Sequence, residues 1–528
     1  MPRLPFGGAM LALGAGGIAT SPAAAQDDPR LSLAGDASSA GGSETTAERD
    51  TDYGDGSAFD TGGQLGYALL EGINYVAPTL VSDIQADFFQ VAVRGPLRFD
   101  PRRGKLRARD WDELGDFFRI GQCVRLDWSA SGRYEREHGH CMPWDVPTED
   151  YYLSVRLGPI QDFTLGHGTV LRSYTNNVDP DHFHSGVVGN LQFHAFVQGQ
   201  FFVDDVTRPS LLGASLALRP FSYASERTEW LYEYEHMLEI AVSVVSDLYA
   251  PAEVYTAFGR PLVDRAGNLL FRSRGVTVAS AHLEYRFTFG SQVELEVRGD
   301  ANYITGHGIG THAQIWGIYN HPFGVYSVRG LGELRVQQPN YVPNYFDAYY
   351  GVQREQFTLS EGARRQLRAV TGGSDDDPFK TKQQLLEALD ALGDAWQLGV
   401  LAGLDVQLYR GEGESRRTAV RGRLFLADNF ERVADSQFFV SLEIPRLNDK
   451  IDVYALYARQ NFDGLADLVA LEDSLVKVSV RWDLNEQFYL TLNYGRIWQL
   501  VRDAEALVRE GFRSDDEIGL ALGFAEEL

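Results

Sequence analysis

Histidine residues that could act as acid–base catalysts or metal ligands gather in three short segments. They are His167, which lies between two glycines, His182 and His184, which follow two aspartates, and His307 and His312, which enclose a glycine-rich stretch. Imidazole groups transfer protons near neutral pH and bind zinc. The sequence contains neither a Gly-x-Ser-x-Gly nucleophile motif nor a His-Glu-x-x-His zinc motif. We therefore expect no catalytic residue, no metal site and no cofactor.

A dense run of basic residues, followed by acidic ones, is a second candidate for function. The bases are Arg102, Arg103, Lys105, Arg107 and Arg109, and the acids that follow include Asp112 and Glu113. A loop that carried these opposite charges into a pore would create a field across a constriction. Two alternatives stay open: the bases contact lipid phosphates at the rim of a membrane protein, or they are hydrated.

The chain has two cysteines, Cys123 and Cys141. In an exported protein a single pair of cysteines favours a disulfide, which would fix the loop between them. The alternative is a metal site in which Cys141 joins the two histidines just before it. We predict the disulfide.

Composition excludes several classes of protein. The chain has 528 residues, is 44% hydrophobic and carries a formal net charge of −25. Because phosphate recognition needs clustered Lys and Arg, this charge argues against nucleic-acid binding. After the N-terminal segment we find no run of about 18 uncharged apolar residues, so no transmembrane helix is expected.

The N-terminal segment has the features of a secretory signal peptide. Arg3 precedes a short apolar stretch, and Ala23, Ala24 and Ala25 give the small-residue pattern of a cleavage site. The chain then divides into a disordered acidic tail over 26–64, a periplasmic lead-in over 65–84 and a β-barrel over 85–528.

Strict alternation of apolar and charged residues dominates the chain from about residue 85. In one segment Val293, Leu295 and Val297 share one parity, and Glu294 and Glu296 share the other. Because successive side chains of a strand point to opposite faces, such a segment has one apolar and one charged face. Strands of roughly 10 to 13 residues, joined by short and long connections in turn, are typical of outer-membrane barrels. We predict an all-β, antiparallel transmembrane barrel of about 18 strands, with 16 as the alternative.

The charged parity of these strands must face water, because basic side chains facing lipid near the midplane cost about 2–4 kcal/mol each. They either brace the wall as neutralising ladders or line a diffusion path. The charges that we expect to face the lumen are Glu294, Glu296, Arg298, Arg329, Glu333, Arg335, Arg421, Arg423, Lys477 and Arg481.

Two long connections, 101–149 and 337–395, could constrict or plug such a lumen, and both are predicted to be extracellular. Within the second, residues 377–396 are predicted to form an amphipathic helix, with Leu385, Leu386, Leu389 and Leu392 at helical spacing.

The chain resembles a Gram-negative outer-membrane β-barrel protein of porin type over about 85–526. The resemblance rests on the signal segment, the alternation, the unequal connections and an aromatic final strand that includes Phe524, although four further residues follow it. It implies export with a cleaved signal peptide and insertion into the outer membrane. It also implies contact with lipid and lipopolysaccharide, with the barrel-assembly machinery and with small hydrophilic solutes, and it leaves a homo-oligomer open.

The function that the resemblance implies is passive diffusion through the barrel, without enzymatic activity. A non-conducting structural or surface barrel is the first alternative, and an outer-membrane hydrolase is the second. The charge of −25 is no guide to ion selectivity, because much of it lies in the acidic tail and in loops.

Overall fold

A computed structural model places most of the chain beyond residue 57. It describes residues 58–527 with gaps at 71–72, 87–88, 108–109, 112–113, 115–116, 119–120, 130–150, 161–162, 177–182, 194–195, 222–237, 258–259, 265–268, 291, 356–380, 391–395, 411–416, 430–435, 449, 461, 463–467, 469–473, 486 and 503–507. The predicted signal peptide over 1–25 and most of the predicted acidic tail lie outside the described residues.

Antiparallel strands form one closed wall, in which each strand pairs with the next wall strand along the chain. Within the described residues twenty strands build it: β1 (Ala58–Leu70), β2 (Ile73–Ala86), β3 (Phe89–Pro96), β6 (Gly121–Ser129), β7 (Tyr151–Gly158), β10 (Gly186–Phe193), β11 (Val197–Val203), β12 (Leu211–Leu218), β13 (Leu238–Asp247), β18 (Val276–Phe289), β19 (Val293–Ile304), β20 (Ile309–Asn320), β21 (Tyr326–Gln337), β22 (Gln397–Arg410), β23 (Arg417–Asn429), β24 (Gln437–Leu447), β25 (Ile451–Gln460), β26 (Ser474–Asp483), β27 (Phe488–Arg502) and β28 (Val508–Glu527). Strand β1 pairs with β28, from Asp60 opposite Glu527 to Leu69 opposite Ile518, and this pairing closes the barrel.

Shorter elements lie in the connections. They are β4 (Phe99–Asp100), β5 (Lys105–Leu106), β8 (Phe163–Leu165), β9 (Leu171–Tyr174), β14 (Pro251–Val254), β15 (Thr256–Ala257), β16 (Arg260–Pro261), β17 (Phe271–Ser273), α1 (Tyr350–Gln353) and α2 (Lys382–Asp390). None of the helices in the described part of the chain is long and apolar enough to cross a membrane.

The predicted closed antiparallel barrel is confirmed, but the strand number differs from the prediction. Strands β1 and β2 occupy residues assigned to the acidic tail and the lead-in, so the barrel begins at Ala58 rather than at residue 85. The glycine-rich sequence of β1 alternates weakly, and its place in the wall comes from pairing on both edges, with β2 and β28. Residues 163–174, between β7 and β10, do not join the wall and instead form the small β8–β9 hairpin.

The two faces of the wall differ as alternation requires. On β18 the inward Glu284 and Arg286 are buried, whereas the outward Leu283 is 52% exposed. The charges expected to face the lumen all lie on the inner parity of their strands. Seven of them, Glu296, Arg298, Glu333, Arg335, Arg421, Arg423 and Arg481, are buried, and Glu294, Arg329 and Lys477 are half-buried.

Both ends of the wall lie at the same rim, because Asp60 of the first strand pairs with Glu527 of the last. The opposite rim carries the four longest connections, 97–120, 159–185, 248–275 and 338–396. At the rim of the chain ends, consecutive strands pair up to closely spaced residues, as in Ala86 with Phe89, Phe289 with Val293 and Leu447 with Ile451. This inequality is the usual arrangement of outer-membrane barrels, in which short turns face the periplasm.

The stretch 101–149 is not one external loop, which corrects the sequence interpretation. Strand β6 runs through the wall within this stretch, where it pairs with β3 on one edge and with β7 on the other. The apolar and polar residues of β6 alternate over only nine residues, too short a stretch to stand out from a loop.

The predicted disulfide stays a prediction. Cys123 lies in β6, whereas Cys141 lies outside the described residues.

Because the outward side chains of the strands face lipid, an arginine there should lower the stability of the barrel most at the middle of the membrane. Leu283→Arg, at the middle of β18, is expected to destabilise the barrel by about 2–4 kcal/mol, because the guanidinium would face hydrocarbon. Phe289→Arg lies on the same face at the end of the same strand and should cost at most about 1 kcal/mol. Urea unfolding of both variants in lipid vesicles measures the difference, and equal costs would contradict the assignment of this face to lipid.

Candidate functional site

A ring of this size encloses more space than side chains of the wall can fill. Barrels of 16–18 strands hold an aqueous channel and 22-stranded barrels a plugged lumen. In this chain two connections from the rim of the long loops fold into the barrel. We call residues 163–174 the lumenal hairpin and residues 338–355 the lumenal segment.

The lumenal hairpin, formed by β8, β9 and the turn between them, reaches to the middle of the wall. The N–H of Gly166 donates to Oε1 of Gln200 at 3.1 Å. The Thr169 hydroxyl donates to Oδ1 of Asn302 at 3.3 Å. Since Gln200 and Asn302 belong to strands on different sides of the hairpin tip, these contacts hold the tip between β11 and β19.

Glycine is required where the hairpin turns. Gly166 has a φ of +56°, and an added Cβ would lie 2.8 Å from the Ser243 hydroxyl. Gly168, with a φ of +74°, lies on the other side of His167. These two left-handed positions present His167 to the wall at the deepest point of the hairpin.

Gly166→Ala therefore combines two penalties, a left-handed backbone and an overlap with Ser243. Gly104 is a matched control, because its φ is +64° and its Cβ would meet nothing within 4 Å. Gly104→Ala should lose about 1–2 kcal/mol of unfolding free energy from the backbone alone. We expect Gly166→Ala to lose more, and to expose the hairpin to protease added to the folded barrel. Equal losses without new cleavage would argue against tight docking.

The lumenal segment packs beside the hairpin through its backbone. The Arg172 N–H donates to the Phe346 carbonyl at 3.1 Å, and the Phe346 N–H donates to the Val170 carbonyl at 3.2 Å. Leu171 and Phe346 accordingly form a parallel β-bridge. The two inserts thus form one unit inside the barrel.

Two consecutive tyrosines carry the lumenal segment from one side of the barrel to the other. The Tyr350 hydroxyl donates to Oδ2 of Asp247, at the end of β13, at 2.8 Å. The Tyr349 hydroxyl donates to the Ala458 carbonyl of β25 at 2.7 Å and accepts the Leu475 N–H of β26 at 3.0 Å. In the described ring β13 is the ninth strand, whereas β25 and β26 are the seventeenth and eighteenth. The segment therefore spans the lumen between nearly opposite parts of the wall.

Ion pairs also stabilise the lumenal segment in its position across the barrel. Arg354 Nη1 lies 3.2 Å from Oδ2 of Asp247, and Lys382 Nζ of α2 lies 3.0 Å from Oδ2 of Asp347. Burial, together with the charge of Asp247, raises the pKa of Tyr350 well above its usual value. The phenol therefore remains protonated and keeps its hydrogen bond.

An apolar core joins both inserts, α2 and the wall. Each fully buried Leu, Val or Phe side chain in such a core contributes about 1.5–3 kcal/mol relative to exposure. Its members are Ile160, Phe163, Leu165, Val170, Leu171 and Tyr174 around the hairpin, Tyr341, Val342, Tyr345, Phe346 and Tyr350 of the segment, Leu385, Leu386 and Leu389 of α2, and wall residues that include Val188, Phe202, Val245 and Ile304. These three leucines are among the four that predicted an amphipathic helix in this connection, and Leu392 lies outside the described residues.

Below this apolar core the hairpin tip enters a polar cluster. His167 Nδ1 lies 2.8 Å from Oδ1 of Asp300, and His167 Nε2 lies 3.2 Å from Oε2 of Glu284. His282 Nδ1 lies 2.5 Å from the same Asp300 oxygen. Burial lowers the pKa of His167, but Asp300 and Glu284 outweigh it and raise that pKa to about 9.

The polar cluster includes a hydrogen-bonded Ser–His–Asp series. Ser243 Oγ lies 2.7 Å from His282 Nε2, and His282 Nδ1 contacts Asp300. This is the connectivity of a nucleophilic triad. However, Ser243 is 1% exposed and lies beneath Gly166, so no substrate carbonyl reaches its hydroxyl while the hairpin is docked.

Paired charges extend around the inner wall from β18 to β23. Arg286 Nε lies 2.7 Å from Glu294 Oε1, and Arg298 Nε lies 2.9 Å from Glu284 Oε2. Arg421 Nη2 lies 2.9 Å from Asp405 Oδ2. For these residues the geometry favours the interpretation in which opposite charges brace the wall.

Glu333 is the centre of the tightest of these groups. Its carboxylate accepts from Arg335 Nε at 2.5 Å and from Gln314 Nε2 at 2.9 Å, and lies 2.8 Å from His312 Nδ1. The Tyr341 hydroxyl of the lumenal segment lies 3.1 Å from the other nitrogen of His312. Wall charges therefore also position the insert.

The described basic residues between Arg102 and Arg107 lie away from the lumenal segment. Arg102, Arg103 and Lys105 are exposed on the short β4–β5 hairpin, which extends β3 at the rim. Arg107 is buried and lies 2.6 Å from Oδ1 of Asp110. Arg109, Asp112 and Glu113 lie outside the described residues. The predicted constriction at this run stays untested, and the observed crossing of the lumen is made by other loops.

The sequence pointed to His167 as a candidate functional residue, but it did not indicate which residues of the polar cluster His167 would contact. His282, Asp300 and Ser243 come from three separate strands, and only their register brings them together: His282 pairs with Asp300 across β18 and β19. One signal was available, since all three residues lie on the polar, inward face of their strands. His184, another candidate, lies 3.0 Å from Asp205 Oδ2 near the rim, and His182 lies outside the described residues.

Comparisons with known proteins add only distant likenesses. No protein-family model matches the chain, and no curated protein matches it. Among solved structures, OpdK of Pseudomonas aeruginosa, crystallised with vanillate, is 10% identical, with 89% of this chain and 99% of that chain covered and a TM-score of 0.30. OccK11 (OpdR) of the same bacterium is 9% identical, with 89% and 96% covered and a TM-score of 0.32. The ferric enterobactin receptor PfeA mutant is 8% identical, with 90% and 81% covered and a TM-score of 0.29.

Similarities this low do not assign the chain to a family. Its architecture is therefore described from its own strands and from the residues on their two faces. Its strands close into one antiparallel ring, its outward parity is apolar, and its inward parity carries buried ion pairs. In a membrane only a closed barrel pairs every backbone group of a β structure. The chain folds as a closed antiparallel barrel with an apolar outer face, which is the architecture of a transmembrane β-barrel.

Proposed function

We propose that this barrel is a porin-like passive diffusion channel for small hydrophilic solutes, with a path narrowed by the lumenal hairpin and the lumenal segment. The observation that carries the proposal is a ring too wide for side chains to fill, whose inner face is polar and whose insert crosses from β13 to β25. An inner face of this kind suits water rather than lipid.

The chemistry of the inner wall supports discrimination by size more than by charge. Its buried arginines lie beside carboxylates, so their fields largely cancel at the distance of a passing ion. We therefore expect weak ion selectivity and a sharp upper limit on solute size, which the inserts would set.

Single-channel recording in planar bilayers tests conduction by the purified, folded protein. We expect steady unitary currents that disappear when the protein is heat-unfolded before addition. Swelling assays with vesicles and sugars of increasing size test the size limit. Persistent silence from a barrel that still shows heat-modifiable gel mobility would favour a non-conducting surface barrel.

We further propose that the chain lacks hydrolase activity, because the Ser243 hydroxyl is sealed by the hairpin. A fluorophosphonate probe should not label the folded protein, and phospholipid should not be cleaved. Labelling that disappears in Ser243→Ala would instead support the hydrolase alternative.

Export and its consequences belong to the same proposal. Residues 1–25 would be removed on export, the barrel-assembly machinery would insert the barrel, and lipopolysaccharide would surround it. The N-terminal residue of protein isolated from outer membranes tests the first step, with Gln26 expected.

A further inference from the structure

We propose that the polar cluster at the hairpin tip is a binding site for one divalent transition-metal ion, held by His167, His282 and Asp300. Bound there, the ion would join the lumenal hairpin to strands β18 and β19. This site goes beyond diffusion through the barrel and does not depend on it.

The ligand atoms already converge. Both histidines direct Nδ1 to Oδ1 of Asp300, at 2.8 Å from His167 and 2.5 Å from His282. The three ligand atoms lie within 4.8 Å of one another. Metal–ligand bonds of about 2.0–2.2 Å place neighbouring ligands roughly 3.4 Å apart. Loading would therefore lengthen the Nδ1–Oδ1 distances of 2.8 and 2.5 Å by about 0.6 and 0.9 Å.

The outer nitrogens of both imidazoles have the partners that metal-bound histidines usually have. His167 Nε2 faces Glu284 Oε2 at 3.2 Å, and His282 Nε2 faces Ser243 Oγ at 2.7 Å. A ligating histidine commonly donates its second N–H to a carboxylate or another oxygen, which fixes the ring and its tautomer. Glu284 and Ser243 supply those oxygens.

A buried carboxylate oxygen points to a missing cation. Asp300 is 5% exposed, and its second oxygen, Oδ2, has no hydrogen-bond partner among the described residues. A metal ion bound between the imidazoles and this carboxylate would give that oxygen a partner.

The ligand set selects the class of metal. Two imidazole nitrogens and a carboxylate suit zinc, copper, nickel or iron, whereas magnesium and calcium prefer oxygen alone. The preference of the site therefore tests the ligand assignment directly.

Zinc binding to the full-length barrel, purified in detergent without a polyhistidine tag and stripped with a chelator, provides the test. We expect one zinc ion per chain by equilibrium dialysis, unaffected by excess magnesium. X-ray absorption at the zinc edge should show only nitrogen and oxygen ligands, with imidazole scattering.

Variants separate this site from the other histidines. His167→Gln and His282→Gln should abolish stoichiometric zinc binding, and Glu284→Gln should weaken it by about 10–100-fold. His184→Gln is the matched control, since His184 also contacts a carboxylate, Asp205, but lies outside the cluster. Heat-modifiable gel mobility verifies that each variant is folded.

Absence of saturable zinc binding by the unaltered barrel would overturn the proposal. So would equal binding by folded His167→Gln and His184→Gln. Neither result bears on conduction, which is measured by current, so failure of this proposal and failure of the channel proposal are distinguishable.

Discussion

Single-channel conductance is expected to rise several-fold when residues 341–354 are replaced by a Gly–Ser chain of equal length. The replacement removes both tyrosines that connect β13 with β25 and β26, and it removes the aromatic contribution to the lumenal core. The remaining chain cannot span the lumen with ordered contacts. Recording in planar bilayers, with the unaltered protein as reference, measures the change.

A single substitution should reproduce part of this increase. A Cβ on Gly310 would lie 2.3 Å from the ring of Tyr341, so Gly310→Val is expected to displace the start of the lumenal segment. Gly317 belongs to the same strand, and its Cβ would meet nothing within 4 Å. Gly317→Val should therefore leave conductance unchanged. Unaltered currents in both Gly310→Val and the replaced segment would mean that the segment does not limit the path.

Loss of the Glu333 carboxylate should produce the largest loss of stability among single substitutions in the wall. Glu333→Gln leaves Arg335, which is fully buried, without the charge that its Nε contacts at 2.5 Å. Removing one partner of a buried ion pair costs about 3–5 kcal/mol, because the other charge stays buried. Urea unfolding of the barrel in vesicles measures this loss.

An exposed ion pair supplies the control. Arg272 and Glu253 lie 3.4 Å apart at the rim, with more than half of each side chain exposed. Because exposed pairs contribute at most about 1 kcal/mol, Glu253→Gln should change stability little. If the two substitutions had equal effects, the buried charges of the inner wall would not be bracing it.

The two faces of each strand follow from the sequence, because side-chain direction along a strand is a local property with a period of two. This is why Glu296, Arg298 and Arg335 were placed on the inner face before any pairing was known. The leucines of α2 were identified for the same reason, with a period of 3.6.

Pairing is a different matter, because it joins residues distant in the chain. Strand β1 belongs to the wall because β2 and β28 hydrogen-bond to its two edges, and nothing in its glycine-rich sequence requires that. Residues 163–174 alternate in part, as a wall strand would, but their outer partners are the lumenal segment and the inner wall rather than lipid.

By itself the sequence determined an antiparallel barrel with a charged interior and an apolar exterior. Only the tertiary structure decided how many described strands close the ring, which loops enter the lumen, and that His167 meets His282 and Asp300 there. The physical reason is that the alternation of apolar and polar residues depends only on which face of a strand contacts lipid and which contacts the polar interior. The choice of partner depends on register and on the packing of distant segments, which no local period encodes.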